Sequence, residues 1–123
     1  TKAINISPTF TNAFRNRGVT KLYGQKDYSG AIEDFTKAIN IDVNNPYLYL
    51  HRGIAKVNLK DYLGAISDYS KGIEIDPDIG QLYKDRGVAY YYIDSKEKEC
   101  ADYKKAKSLG DKIGKEYFQE YCK

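Results

Sequence analysis

Apolar residues recur every third or fourth position through Tyr47–Leu59 and again through Tyr62–Ile75, the spacing that lines one face of an α-helix. Asn45 followed by Pro46 predicts the start of the first of these, an N-cap with proline at the first helical position. Pro8 and Pro77 are expected to end helices, because proline supplies no N–H and disfavours helix in the residue before it. The segments between helical stretches span only a few residues, which predicts antiparallel neighbours. No stretch alternates with period two for long enough to make a strand. The chain reads as all-α.

The pattern then repeats. Lys26–Val43 (KDYSGAIEDFTKAINIDV) and Lys60–Pro77 (KDYLGAISDYSKGIEIDP) lie 34 residues apart and agree at eleven of eighteen positions. Thr1–Pro8 matches Thr36–Val43, and Ser70–Pro77 matches Lys104–Asp111. The other half of the unit recurs as Phe14–Gly18, Tyr49–Gly53 and Tyr83–Gly87. A fixed period in the thirties predicts an α-solenoid of antiparallel helix pairs, since each unit cannot bury its apolar face alone. The expected layout is one domain over 1–123. Residues 1–8 are the tail of a preceding repeat, 11–45, 46–79 and 80–110 are three units, and 111–123 form a capping helix with a stripe of Ile113, Tyr117 and Tyr121. Helix boundaries are expected near Gln25–Asp27, Asp42–Pro46, Leu59–Asp61, Asp76–Gln81 and Ile93–Lys96.

Small residues fall where helices must touch. Gly18, Gly53 and Gly87 sit inside helices, where glycine costs about 1 kcal/mol against alanine, so a close approach is expected at each. The expected partners are Ala31 and Ala38, Ala65 and Gly72, and Ala106, with Phe35, Tyr69 and Tyr103 filling the space between helices. Arg17, Arg52 and Arg86 recur on first helices with Asp34, Asp68 and Asp102 on second helices. Recurrence in every unit favours a bidentate pair tying the helices together over an anion-binding row.

The order of an aromatic, three residues, Gly, then Asp-Tyr, Ala, an aromatic, Ala and Pro resembles the tetratricopeptide repeat. The resemblance covers nearly the whole chain. It implies a right-handed superhelix whose concave groove, lined by first helices, holds a peptide or partner protein. On that register the groove is lined by Asn12, Arg15 and Val19, then Tyr47, Leu50 and Ile54, then Gln81, Lys84 and Val88, with His51 nearby and Tyr91 or Tyr92 at one end. Some family members grip the C-terminal carboxylates of heat-shock chaperones with Lys, Asn, Asn, Lys and Arg. The matching positions here carry Arg15, Val19, His51, Gln81 and Asp85; only Arg15 keeps that chemistry and Asp85 reverses it, which argues against the clamp. Val43 replaces the pattern's proline, and three further departures stand out. Lys21–Lys26 holds one residue more than the matching turn of the second unit, Lys96 stands where Tyr28 and Tyr62 stand, and Glu99 stands where Ala31 and Ala65 stand. The third pair is therefore expected to be splayed.

Composition narrows the function. The net charge is +3 with both signs interspersed, which argues against nucleic acid as the partner. No apolar stretch is long enough for a membrane span. Methionine is absent, so the native N-terminus is expected upstream of Thr1. Ala3, Ile4 and Ile6 are then expected to leave an apolar face that further repeat or a second copy covers. His51 is the only histidine, no Gly-rich phosphate loop follows a strand, and no cofactor or metal is called for; an enzyme is not expected. Tyrosine is in excess at 13 residues. Tyr47, Tyr91 and Tyr92 fall on groove positions and suit peptide recognition, although a compositional habit would also account for them. Cys100 and Cys122 flank the last turn at similar heights, close enough for a disulfide to be open to test. A Cys before Asp-aromatic with a second Cys closing the chain resembles terminal repeats of some bacterial members of the family. The leading expectation is a peptide- or protein-binding scaffold, followed by an assembly protein that self-associates through its N-terminal repeat face, then nucleic-acid binding in the manner of helical repeats that read bases.

Overall fold

The computed structural model describes residues 2–122, with side chains from residue 9 onward. Seven α-helices follow one another: α1 (Lys2–Val19), α2 (Tyr28–Ile41), α3 (Pro46–Asn58), α4 (Tyr62–Ile75), α5 (Gly80–Tyr92), α6 (Lys96–Ser108) and α7 (Lys112–Tyr121). No strand occurs among the described residues. The expected boundaries fall at the gaps between these helices. One expectation fails. Pro8 does not end a helix, because α1 runs through it from Lys2 to Val19. The leading fragment and the first helix of the first unit are one continuous element. The expected packing of Ala3, Ile4 and Ile6 lies outside the described side chains.

Local chemistry starts the helices. Asn45 caps α3, its side chain accepting from the Tyr47 N–H at 3.0 Å, with Pro46 next in the first turn. Asp27 and Asp61 cap α2 and α4 by accepting from the N–H of Gly30 and Gly64, each at 3.0 Å. Asp111 does the same for α7 through Gly114 at 2.7 Å. Each such cap satisfies one of the helix's orphan donors and contributes about 1 kcal/mol. The left-handed residues Lys26, Lys60 and Asp94 close the three turns within the units at matching positions.

The extra residue between Lys21 and Lys26 has a structural answer. After Val19 the helix widens into a π turn over Thr20–Gly24, which takes up one additional residue without breaking the helix. Lys21 thereby keeps the place that Lys56 holds in the second unit: Lys21 pairs with Asp34 at 3.1 Å and Lys56 with Asp68 at 3.0 Å.

Consecutive helices pack as antiparallel neighbours, and α5 with α6 are as closely packed as the other pairs. The third pair is not splayed. The three mid-helix glycines do mark close approaches, but their partners are rings rather than small residues. A Cβ on Gly53 would stand 2.5 Å from Tyr69, on Gly87 2.6 Å from Tyr103, and on Gly18 3.0 Å from Phe35. Ala31, Ala38, Ala65 and Ala106 are fully buried alongside. Each Arg–Asp pair is bidentate, at 2.9 and 2.7 Å for Arg17–Asp34, 2.9 and 2.7 Å for Arg52–Asp68, and 2.8 and 2.8 Å for Arg86–Asp102.

The capping helix seats differently from its predicted stripe. Ile113 and Tyr121 stay about half exposed, while Gly114 is buried against Ala106. A Cβ at Gly114 would come within 2.5 Å of the Ala106 methyl, so glycine lets α7 lie directly on α6. Cys100 and Cys122 are joined by a disulfide with Cα atoms 5.7 Å apart, which fastens the end of α7 to the start of α6.

Candidate peptide-binding groove

Helices α3 and α5 touch one another, as do α5 and α7, whereas no comparable contact links α2 with α4 or α4 with α6. Helices α3, α5 and α7 therefore lie on the inner side of the curve, with α4 and α6 on the outer side. The inner face is where the expected groove residues must be judged.

Most of them are accessible to solvent. Asn12 and Gln81 are exposed, and Arg15, Val19, His51, Ile54, Lys84 and Val88 are half-buried. Tyr47, Tyr91 and Tyr92 are 51, 59 and 53% exposed. Of the tyrosines on repeat core positions, Tyr69, Tyr83 and Tyr103 are buried, while Tyr28 and Tyr62 are half-buried and Tyr62 stacks on Tyr92 at 4.7 Å. Leu50 corrects its expected place. It is 2% exposed and packs with Ala65, Tyr69, Leu82 and Ala89, because the closing of α5 onto α3 takes it into the core between units. It offers no surface to a ligand. Lys84 is also less available than its sequence position suggests, since its ammonium pairs with the neighbouring Asp85 at 3.1 Å.

Where the first unit meets the second, Tyr23, Phe35 and His51 form a cluster. The Tyr23 hydroxyl meets His51 Nδ1 at 3.1 Å, and the His51 ring stacks on Phe35 at 5.5 Å between centroids. Burial holds the His51 pKa below its ordinary value, and the Arg15 charge pushes the same way. His51 is thus a neutral hydrogen-bonding group at neutral pH. Burial raises the Asp85 carboxyl above its usual range despite the Lys84 charge, and its Oδ2 is buried with no hydrogen-bond partner among the described residues. Asp85 in turn helps burial to raise the Tyr23 hydroxyl. Tyr23 was not legible as a groove residue; the π turn that presents it is signalled in the sequence only by the extra residue between Lys21 and Lys26.

At the far end of the inner face, Val88, Tyr91 and Tyr92 from α5, Glu99 and Tyr103 from α6, and Tyr117 and Tyr121 from α7 enclose a pocket of about 220 Å³. Among the described residues no group of His, Cys, Asp and Glu is placed to hold a metal ion, and no helix is long and apolar enough to cross a membrane.

Two families match the chain: "TPR repeat" over residues 21–60 and "Tetratricopeptide repeat" over residues 46–79. The chain belongs to the tetratricopeptide-repeat family. No curated protein matches it in sequence. Among solved structures, the second TPR domain of human RPAP3 in complex with an HSP70 peptide superposes with a TM-score of 0.87 at 22% identity, covering 95% of this chain and 98% of that one. The first TPR of Spaghetti (RPAP3) bound to an HSP90 peptide gives 0.86 at 23% identity, over 92% and 90%. The Arabidopsis OM64 TPR domain gives 0.84 at 22% identity, over 93% and 98%. At such identities these likenesses establish a shared fold, the tetratricopeptide-repeat solenoid.

Proposed function

We propose that this tetratricopeptide-repeat domain is a non-enzymatic scaffold that holds an extended segment of a partner protein along its inner face. The observation that carries the reading is the separation of its tyrosines: Tyr69, Tyr83 and Tyr103 are buried between the helices, while Tyr47, Tyr91 and Tyr92 stand half exposed on α3 and α5. A large apolar ring with a hydroxyl at its tip is the side chain that anchors peptides at low entropic cost. The charges of the face are polarised along its length. Arg15 marks the α1 end; at the α5–α6 end Lys84 is taken up by one oxygen of Asp85, whose other oxygen has no partner, and Glu99 is buried in the pocket without a lysine or arginine partner among the described residues. The fitting segment therefore carries an acidic group toward the α1 end, an apolar residue against Tyr47, and a basic group toward the other end.

The solved relatives show two such domains bound to peptides ending in EEVD and MEEVD. Asp85 at the position of the clamp's arginine sets this groove apart from a receptor for a C-terminal carboxylate, since two buried like charges repel.

A peptide-display selection against the folded domain supplies the ligand, and variants locate it. Tyr47→Ala weakens the selected peptide by about 2 kcal/mol, the loss typical of an aromatic anchor. Leu63→Ala, on the exposed outer face of α4, leaves it unchanged. The opposite result places binding on the outer face and ends this reading. Self-association through the N-terminal end is the second reading, favoured by the half-exposed Phe10; light scattering showing only monomer at high concentration would exclude it.

A further inference from the structure

We infer that the pocket between α5, α6 and α7 is a receptor for an alkylammonium group, supplied by a lysine side chain of the segment lying on the inner face. This deepens the peptide-binding reading and rests on it for the source of the lysine, but not for the chemistry of the pocket.

Glu99 is the reason. The first and second units place alanine at this position, Ala31 and Ala65, and both are fully buried. The third unit places a carboxylate there that is 2% exposed. Among the described residues no lysine or arginine lies within ion-pair distance of it. Lys96, one turn earlier on α6, is occupied by the Tyr121 carbonyl. A buried carboxylate without a counter-ion is costly unless its environment compensates or a cation joins it. The N-terminal turn of α6 offsets part of that charge. The neighbouring Tyr103 hydroxyl lies close enough that Glu99 adds to burial in raising its pKa.

The walls are the second, independent observation. Five tyrosines line the pocket, set edge against face: Tyr103 on Tyr117 at 5.4 Å and 62°, Tyr117 beside Tyr121 at 5.9 Å, and Tyr91 on Tyr92 at 5.2 Å and 71°. Aromatic faces attract a desolvated cation, and several rings around one carboxylate make the arrangement that recognises organic ammonium groups. The volume of about 220 Å³ falls below the roughly 300–1,000 Å³ of a drug-sized site. It suits one side chain rather than a whole small molecule. A compact ammonium on a flexible apolar stem can reach a single buried carboxylate end-on while its methylenes lie against the rings. Val88 and Tyr91 connect the pocket to the inner face, so a peptide bound there has its side chains within reach.

The test uses the oxidised protein and two probes, n-butylammonium and N-acetyl-lysine methylamide, followed through the ring resonances of Tyr117 and Tyr121 by NMR. Both probes should shift these signals saturably, and n-butanol should not. Glu99→Gln should weaken both by about tenfold or more, the loss of one charge-assisted contact. Should Glu99→Gln perturb folding, Tyr121→Ala removes a half-exposed wall and should weaken binding with the helix content unchanged. Tyr47→Ala should leave probe binding intact, so failure of the groove and failure of the pocket are told apart. Equal binding of butanol, or full binding to Glu99→Gln, overturns the pocket's cation chemistry; binding of the free amine with exclusion of the lysine mimic overturns lysine as its source.

Discussion

At the scale of single residues, the repeated glycines and the Arg–Asp pairs are the positions where small changes have large consequences. A methyl group at Gly53 would enter the Tyr69 ring at 2.5 Å, and neither the ring nor the helix can withdraw from a filled core. Gly53→Ala should destabilise by about 2 kcal/mol through overpacking, and Gly18→Ala, with 3.0 Å to Phe35, by less; urea titration of the two variants checks the order. Asp68 takes both Arg52 and Lys56 while almost fully buried. Asp68→Ala leaves two cations unmatched and should cost about 3 kcal/mol, read from the same titration. Asp34 answers to pH. The Arg17 hydrogen bonds hold its carboxyl below the usual carboxylate range, against the opposing effect of burial. The contribution is therefore complete above the unfolded value of about 4 and is lost as pH falls through the depressed folded value. Asp34→Asn should melt below wild type at pH 7, and the gap should close in strong acid.

At the scale of elements, α7 depends on its fastening. The disulfide closes a segment with a sequence separation of 22 residues, and constraining a loop of that size contributes about 3 kcal/mol in the chain-entropy view. Reduction should raise amide exchange across Lys112–Tyr121 while leaving α2 to α4 protected, because each unit leans only on its neighbours. The π turn makes a second test. Deleting Gly24 restores the spacing of the second unit, and the variant should keep its helical circular dichroism and its Lys21–Asp34 and Arg17–Asp34 pairs. Helix number, boundaries and the Arg–Asp ties were legible because they repeat, so each copy checks the others. Pro8 misled because the matching junctions at Val43 and Pro77 do end their helices, at Ile41 and Ile75, whereas α1 runs on through Pro8. Leu50 misled for another reason: helical register tells which side of α3 it occupies, but not that Leu82 of the next unit closes over it. The site was legible as a face and not as a shape. The exposure of Tyr47, Tyr91 and Tyr92 follows from register, whereas the pocket at Glu99 needs α7 folded back onto α6, a contact between non-equivalent helices.

At the scale of the whole molecule, stability and binding share the same elements at the C-terminal end. Tyr117 and Tyr121 both belong to α7 and wall the pocket, so reduction of the disulfide should weaken butylammonium binding together with the protection of α7, while a selected peptide's contact with Tyr47 persists. The arginines also reach beyond their own units. Besides its aspartate, Arg52 donates to Thr36 of the preceding unit at 3.2 Å, and Arg86 donates to Ser70 at 3.1 Å. Every junction is thus written in the same donor and acceptor. Because Ser70 of the second unit already accepts from the arginine that follows it, a duplicate of residues 46–79 inserted behind the original would meet a hydroxyl where its own Arg52 expects one, and would present a hydroxyl in turn. The array can lengthen by whole units without a new interface being invented, and its inner face would grow by one tyrosine-bearing step each time.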